Sequence, residues 1–306
     1  MDTIVTVEHL AKRYGPATAV ADVSFDVTRG EIFGIVGPNG AGKTTTVELL
    51  QGLRRPDAGR VEVLGLDPQR NVAAIRQRVG TQLQSAVLPD RLKVWEALDL
   101  YASYYDDPAD PAQLLADWDL TGKRNAAFDS LSGGQRQRLF IALALIGTPE
   151  LVFLDELTTG LDPQARRLTW DHIRAIRARG VTVVLVTHFM DEAETLCDRI
   201  AVIDAGRVVA LDTPARLTRR AGQAQQVRFT APADFTSRWL AGVAGVERID
   251  HDGGTVVVTG SGPLLARVAT ALAAHDAAPD DLTVQRTSLE DAFLALTGPH
   301  TRPPTS

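Results

Sequence analysis

The run Gly37-Pro38-Asn39-Gly40-Ala41-Gly42-Lys43-Thr44-Thr45 constrains this chain more than any other stretch. It satisfies the pattern G-x-x-x-x-G-K-[ST], a Gly-rich loop that joins a strand to a helix. Its flanks agree: Glu31–Val36 reads as an apolar strand and Thr45–Leu53 as a helix. Glycines let the backbone wrap around phosphate oxygens and aim N–H groups at them. The N-terminal end of the following helix adds positive potential. In such a loop Lys43 meets the β- and γ-phosphates, and the Thr44 hydroxyl can ligate Mg2+. The pattern demands an α/β unit that binds a nucleoside triphosphate. Alone it does not separate a motor from a kinase or a GTPase.

Short β-rich runs at Ile4–Val7, Glu31–Val36, Leu151–Leu154, Val181–Thr187 and Ile200–Ile203 support that unit. Several are continuously apolar, as in strands covered on both faces. A helical pattern over Gln164–Arg179 lies between two of them, which predicts a largely parallel sheet. From about 85 to 148 strand signals thin out and Trp95–Tyr105 and Pro111–Trp118 carry helical spacing, so a helical insertion is expected there. The α/β unit is expected over 1–220 and a linker over 221–226.

From 227 to 298 the pattern changes. Strands are expected at Val227–Thr230, Val246–Asp250, Thr255–Thr259 and Leu282–Gln285, and helices at Phe235–Ala241, Pro263–His275 and Ser288–Leu296. Asp252-Gly253-Gly254 is a strong hairpin signal, and Ser288 suits a helix N-cap. The order βαββαβα predicts a small α+β domain of ferredoxin-like type. The Pro-rich tail, 299–306, is expected to be disordered.

Two further motifs carry chemistry. Leu131-Ser132-Gly133-Gly134-Gln135 precedes the helical run Arg136–Ile146, a second Gly-rich loop opening a helix with Ser132 at the cap. Leu151–Leu154 delivers two adjacent carboxylates, Asp155 and Glu156, at the C-terminal end of a strand, where α/β sheets bind ligands. In P-loop enzymes an Asp at this place holds Mg2+, and Glu156 is placed to orient or deprotonate the attacking water.

The succession of P-loop, LSGGQ and an apolar strand ending in Asp-Glu resembles the nucleotide-binding domain of the ATP-binding cassette family over residues 4–215. The resemblance implies a P-loop NTPase fold with a helical subdomain, ATP and Mg2+ as ligands, and ATP hydrolysis. It implies that the phosphates lie in the loop Gly37, Pro38, Asn39, Gly40, Ala41, Gly42, Lys43, Thr44 and Thr45. It assigns Gln84 to the Q-loop, touching Mg2+ and water, and His188 to the γ-phosphate contact. It gives Tyr14 to adenine stacking and Asp162, in Gly160-Leu161-Asp162, to a contact across a dimer. Ser132, Gly133, Gly134 and Gln135 would close over ATP held by a second cassette, since one P-loop and one LSGGQ occur here. A homodimer or heterodimer of cassettes follows from that implication.

The ending Ser288-Leu289-Glu290-Asp291-Ala292-Phe293-Leu294-Ala295-Leu296-Thr297-Gly298 resembles that of the daunorubicin-resistance type of exporter ATPase. That group often departs from LSGGQ, whereas this chain keeps it. The resemblance implies export of a drug or antibiotic through a separate transmembrane permease subunit docked on Ser85–Tyr105. Polysaccharide or lipid export, import, and a soluble non-transport role are the alternatives.

Composition narrows the partners. With 306 residues and 44% hydrophobic content there is material for one large or two modest cores. A net charge of −6 argues against a nucleic-acid partner, which needs a basic surface. Cys197 is the single cysteine, so no internal disulfide forms; it is expected to be a half-buried helix residue. The N-terminus shows no signal-peptide pattern. The longest apolar run, Leu139 to Gly147, has nine residues, far below a membrane span. The expected place is the cytoplasmic face of a membrane, held there by the permease.

Overall fold

A computed structural model describes residues 2–82, 87–220, 225–232, 234–275, 277, 279–286 and 288–298. The chain divides between Pro214 and Ala215 into two compact units.

The first unit holds, in chain order, β1 (Thr3–Tyr14), β2 (Ala17–Thr28), β3 (Ile32–Val36), α1 (Lys43–Leu50), β4 (Ala58–Val63), α2 (Val72–Arg78) and β5 (Val79–Gln82). Then come α3 (Val94–Ala102), α4 (Pro111–Asp117), α5 (Gly133–Leu145), β6 (Leu151–Asp155), α6 (Pro163–Ala178), β7 (Thr182–Thr187), α7 (Met190–Leu196), β8 (Arg199–Asp204) and β9 (Arg207–Asp212). Nine strands form one sheet in the order β4-β1-β2-β9-β8-β3-β7-β6-β5.

The five strands from β8 to β5 are parallel throughout. Every residue of β3, β6 and β7 is buried, which is why these strands read as unbroken apolar runs. The sheet is more mixed than the sequence suggested. β4, β1 and β2 pair antiparallel, as do β8 and β9. β2, β4 and β9 lie outside the expected runs, and β1 extends well past Val7. These strands alternate instead: Val23, Phe25 and Val27 of β2 are buried while Ser24 is exposed.

Between β5 and β6 the described residues form α3 to α5 and two short 3-10 turns. Most of their large apolar residues, among them Val94, Leu98, Leu114, Trp118, Phe128 and Leu139, are buried. Phe128 packs edge-on against Phe140 at 5.6 Å. Cys197 follows the last residue of α7 and is buried rather than half-buried. Burial pushes its thiol well above the ordinary range.

The second unit opens near α8 (Pro214–Arg220) and contains β10 (Gln225–Thr230), β11 (Val246–Asp252), β12 (Thr255–Gly260), α9 (Leu264–Ala273), β13 (Thr283–Arg286) and α10 (Leu289–Thr297). Its four strands run in the order β11-β12-β10-β13, each pair antiparallel. Gly253 and Gly254, both at positive φ, turn the chain between Asp252 and Thr255. Leu264, Val268 and Leu272 of α9 bury one stripe against Val227, Phe229, Val256 and Val258. Ser288 caps α10, its Oγ accepting from Asp291 N at 3.1 Å.

The helix expected over Phe235–Ala241 is only a 3-10 turn at Ser237–Trp239. Seven residues nucleate a helix poorly, and Phe235 is held instead between Phe229 at 5.4 Å and Trp239 at 5.7 Å. The expected linker lies at 221–224 outside the described residues, while Gln225 and Gln226 belong to β10. The tail, 299–306, also lies outside them.

Candidate active site

The P-loop leaves the buried end of β3 and enters α1 through Gly42, whose φ of 100° only glycine adopts readily. A Cβ on Gly42 would stand 2.2 Å from Ala19 O, and one on Gly37 2.2 Å from Ile203 O. Both glycines are therefore required by close backbone approach. The β8–β9 turn props the loop from below: Gly206 N donates to Ala41 O at 3.0 Å, and Ala21 N donates to Gly206 O at 2.8 Å. Asn39 and Gly40 at the tip are exposed, as is Thr44 in the first turn of α1, while Pro38, Gly42 and Thr45 are half-buried.

Lys43 is buried, with 5% of its surface exposed. Its Nζ donates to Gly37 O at 2.9 Å and Pro38 O at 3.0 Å, so the side chain spans the loop it belongs to. Burial lowers its pKa, and the negative charges of Glu156 and Asp155 pull it back up.

Asp155 ends β6 and is buried. Its backbone N–H donates to Gln82 Oε1 at 3.3 Å. Burial first and the Glu156 charge second push its carboxyl up to about 6, against the pull of Lys43. Its Oδ1 has no hydrogen-bond partner. A buried carboxylate oxygen left bare beside a second carboxylate suits a divalent cation, which would neutralise both. No group of three or more His, Cys, Asp or Glu among the described residues could hold a metal. A cation here would draw the rest of its shell from neutral oxygens such as the Thr44 hydroxyl, from phosphate and from water, a donor set that suits Mg2+.

Glu156 stands at φ 49°, a left-handed conformation that a non-glycine residue adopts at a cost of about 1–3 kcal/mol. Its N–H donates to Val186 O at 2.9 Å, which pins the bend to β7. Two residues on from Val186, His188 places Nδ1 3.3 Å from Glu156 Oε1, outside hydrogen-bond geometry. The His188 ring packs on Phe189 at 4.1 Å, and Arg166 covers Phe189 at 4.4 Å.

The structure thus brings Lys43, Asp155, Glu156 and His188 together at the C-terminal ends of the adjacent strands β3, β7 and β6. Ser132 and Asp162 sit elsewhere, each capping a helix. Ser132 Oγ accepts from Gln135 N at 3.3 Å, and Ser132 N donates to Gln135 Oε1 at 3.0 Å. Asp162 Oδ1 accepts from Ala165 N at 2.8 Å. A Cβ on Gly134 would reach Ala165, so the two helix starts are neighbours. Ser132, Gly133 and Asp162 are exposed. Tyr14 ends β1 with 43% exposure, its ring 5.6 Å from Lys12 Nζ. Gln84 lies outside the described residues. Sequence reasoning missed Ala19 and Gly206, which support the loop through backbone atoms and carry no side-chain signal.

The ABC transporter family profile matches residues 20–159. The chain is 40% identical over 304 residues to the Nod factor export ATP-binding protein I of Ralstonia nicotianae, covering 96% of this chain and 94% of that protein. It is 39% identical over 306 residues to the daunorubicin resistance ATP-binding protein DrrA3 of Streptomyces coeruleorubidus, covering 97% and 96%. Among solved structures it resembles an ATP-binding subunit of an ABC transporter, with a TM-score of 0.65 and 29% identity over 71% of this chain and 92% of the other. It also resembles a dimeric ATP-binding cassette bound to ADP and phosphate, with a TM-score of 0.61 and 26% identity over 69% and 98%.

Proposed function

Since the chain belongs to the ATP-binding subunits of ABC transporters, which hydrolyse ATP to power transport, we propose that two copies share their active sites and drive export of a drug or antibiotic through a separate transmembrane subunit. The supporting observation is the division of the site. Lys43, Asp155, Glu156 and His188 converge, while the helix starts at Ser132 and Asp162 stay exposed and spend their caps internally. A bound γ-phosphate would be open on one side. Ser132 and the N–H groups of Gly133, Gly134 and Gln135 of a second chain supply the missing donors and exclude water.

In this reading the P-loop N–H groups and Lys43 turn from the loop carbonyls to the phosphates, and Tyr14 stacks on the base. Thr44 and Asp155, with Gln84, would hold Mg2+, which would supply positive charge beside the phosphates. Glu156 accepts a proton from water whose oxygen attacks the γ-phosphorus as the bond to the β-phosphate oxygen breaks. His188 and Gln84 hold the phosphate and the water. Asp162 meets the second chain. The first unit, which ends at Pro214 and not at the expected 220, would be the nucleotide-binding domain with its helical subdomain at about 85–148, and the second unit a ferredoxin-like accessory domain, as its strand order supports.

No helix among the described residues is long and apolar enough to cross a membrane. A groove of about 630 Å³ between α2, β5, α3 and α5, lined by Leu53, Ile75, Arg76, Tyr101, Tyr104 and Tyr105, suits docking of the permease at the cytoplasmic face. Tyr104 is 63% exposed there. Trp95 serves the subdomain itself, packing under Arg124 at 5.4 Å. The likeness to Nod factor exporters favours a second reading, export of a different cargo.

Mixing Lys43→Ala chains with Ser132→Arg chains tests the shared site. Each pure dimer has two broken sites, whereas a mixed dimer has one intact. Random exchange makes about half the dimers mixed, so up to roughly a quarter of sites regain ATP hydrolysis. A mixture that exchanges subunits and stays inactive refutes sharing.

A further inference from the structure

We propose that Glu192 is a positioning residue for ATP hydrolysis, a buried carboxyl set against both the strand end carrying His188 and the loop that follows Glu156. The proposal rests on the roles given above to Glu156 and His188, and adds a residue that no sequence motif singled out.

Glu192 lies in the first turn of α7 with 0% of its surface exposed. An enclosed carboxyl is costly unless donors surround it. Three segments bring donors toward it. Trp170 Nε1 of α6 donates to Glu192 Oε1 at 3.0 Å. The hydroxyls of Thr187 and Thr158, both fully buried, lie close enough to favour the ionised carboxyl, while burial pushes it above the ordinary carboxylate range. Thr187 Oγ1 already accepts from Phe189 N at 3.0 Å, which leaves its proton free to point at Glu192.

Each donor belongs to a part of the site. Thr187 precedes His188. Thr158 follows Glu156 by two residues, in a loop folded tightly by Thr159 N to Glu156 O at 3.3 Å and Leu161 N to Thr158 O at 3.2 Å. That loop runs on to Asp162, the cap of α6, which also carries Trp170. One carboxyl therefore sees all three segments whose relative placement sets the Glu156–His188 separation. The network is not closed: Glu192 Oε2 and Thr158 Oγ1 are buried, and neither completes a hydrogen bond. An unfinished pair at this junction is poorly suited to a passive strut, since unmade buried bonds destabilise.

Glu192→Gln keeps the size and the acceptor for Trp170 but turns the second acceptor into a donor. Thr158→Val removes the facing hydroxyl at similar volume. In the full chain, assayed with its membrane partner, each variant is expected to fold with ATP KM within about twofold and kcat down about tenfold or more. The double variant is expected to lose at most about twofold beyond the larger single effect, because both act on one contact. A folded Glu192→Gln with wild-type kcat overturns the proposal, as do losses that multiply. If Glu192→Gln does not fold, Thr158→Val decides: a wild-type kcat there overturns it. Glu156→Gln is measured alongside. If it is inactive while Glu192→Gln is not, the Glu192 proposal alone fails; if it turns over normally, the site assignment falls and the proposal with it.

Discussion

Asp155→Asn is expected to stabilise the nucleotide-free chain while disabling it. The Asp155 carboxyl moves from 3.8 to about 6 on folding, chiefly through burial and the adjacent Glu156 charge. A carboxyl whose folded pKa lies above its unfolded one binds its proton more tightly in the folded state. Its contribution to stability is whole below pH 3.8 and is lost as pH rises through about 6. At about 1.4 kcal/mol per pKa unit, the ionised group costs about 3 kcal/mol at pH 8 and roughly half that at pH 5. Asparagine has the same shape and no charge, so the variant should gain about 3 kcal/mol over wild type at pH 8 and roughly half as much at pH 5. Urea denaturation followed by tryptophan fluorescence measures this, since Trp95, Trp118 and Trp170 lie in the first unit. ATP with Mg2+ should raise the wild-type midpoint and leave that of the variant nearly unchanged. A variant no more stable than wild type at pH 8, or a gain independent of pH, refutes the reasoning.

Glu156→Gln should still bind ATP but hydrolyse it about 10²–10⁴-fold more slowly, the range lost with a general base. Gel filtration with ATP and Mg2+ should then show a persistent dimer, and near-normal turnover would remove Glu156 from the chemistry. Gly42→Ala should lower ATP affinity at least about tenfold, because its methyl would meet Ala19 O at 2.2 Å in a conformation with φ of 100°. Gly40→Ala, at φ +79° with nothing within 4 Å, should cost only about 1–2 kcal/mol of stability; equal nucleotide titrations for the two variants would contradict the close-approach argument.

Much of the chemistry is written in consecutive residues. A loop that wraps phosphate needs glycines beside a lysine, and a strand buried on both faces must be apolar from end to end. Both conditions mark the sequence at Gly37–Thr45 and Leu151–Glu156, and the capping box at Ser132 marks the start of α5. Half-buried strands mark it less. β2 and β9 alternate, and β4 carries only Val61 and Val63 inward, so the antiparallel flank of the sheet was not evident. Contacts between distant segments are set by the folded chain alone. Gly42 is confined by the carbonyl of Ala19 and supported through Gly206, backbone groups that leave no trace in side-chain identity. Asp155 is perturbed because the fold buries it next to Glu156 and opposite Lys43. Glu192 looks in sequence like any acidic residue in the first turn of a helix, a place where the helix dipole favours negative charge on the surface. Folding instead enclosed it among Trp170, Thr187 and Thr158, because α6 and α7 pack against each other and against β7. Local pattern records what each segment must do by itself, whereas burial and charge at these positions depend on which segments the sheet order brings together.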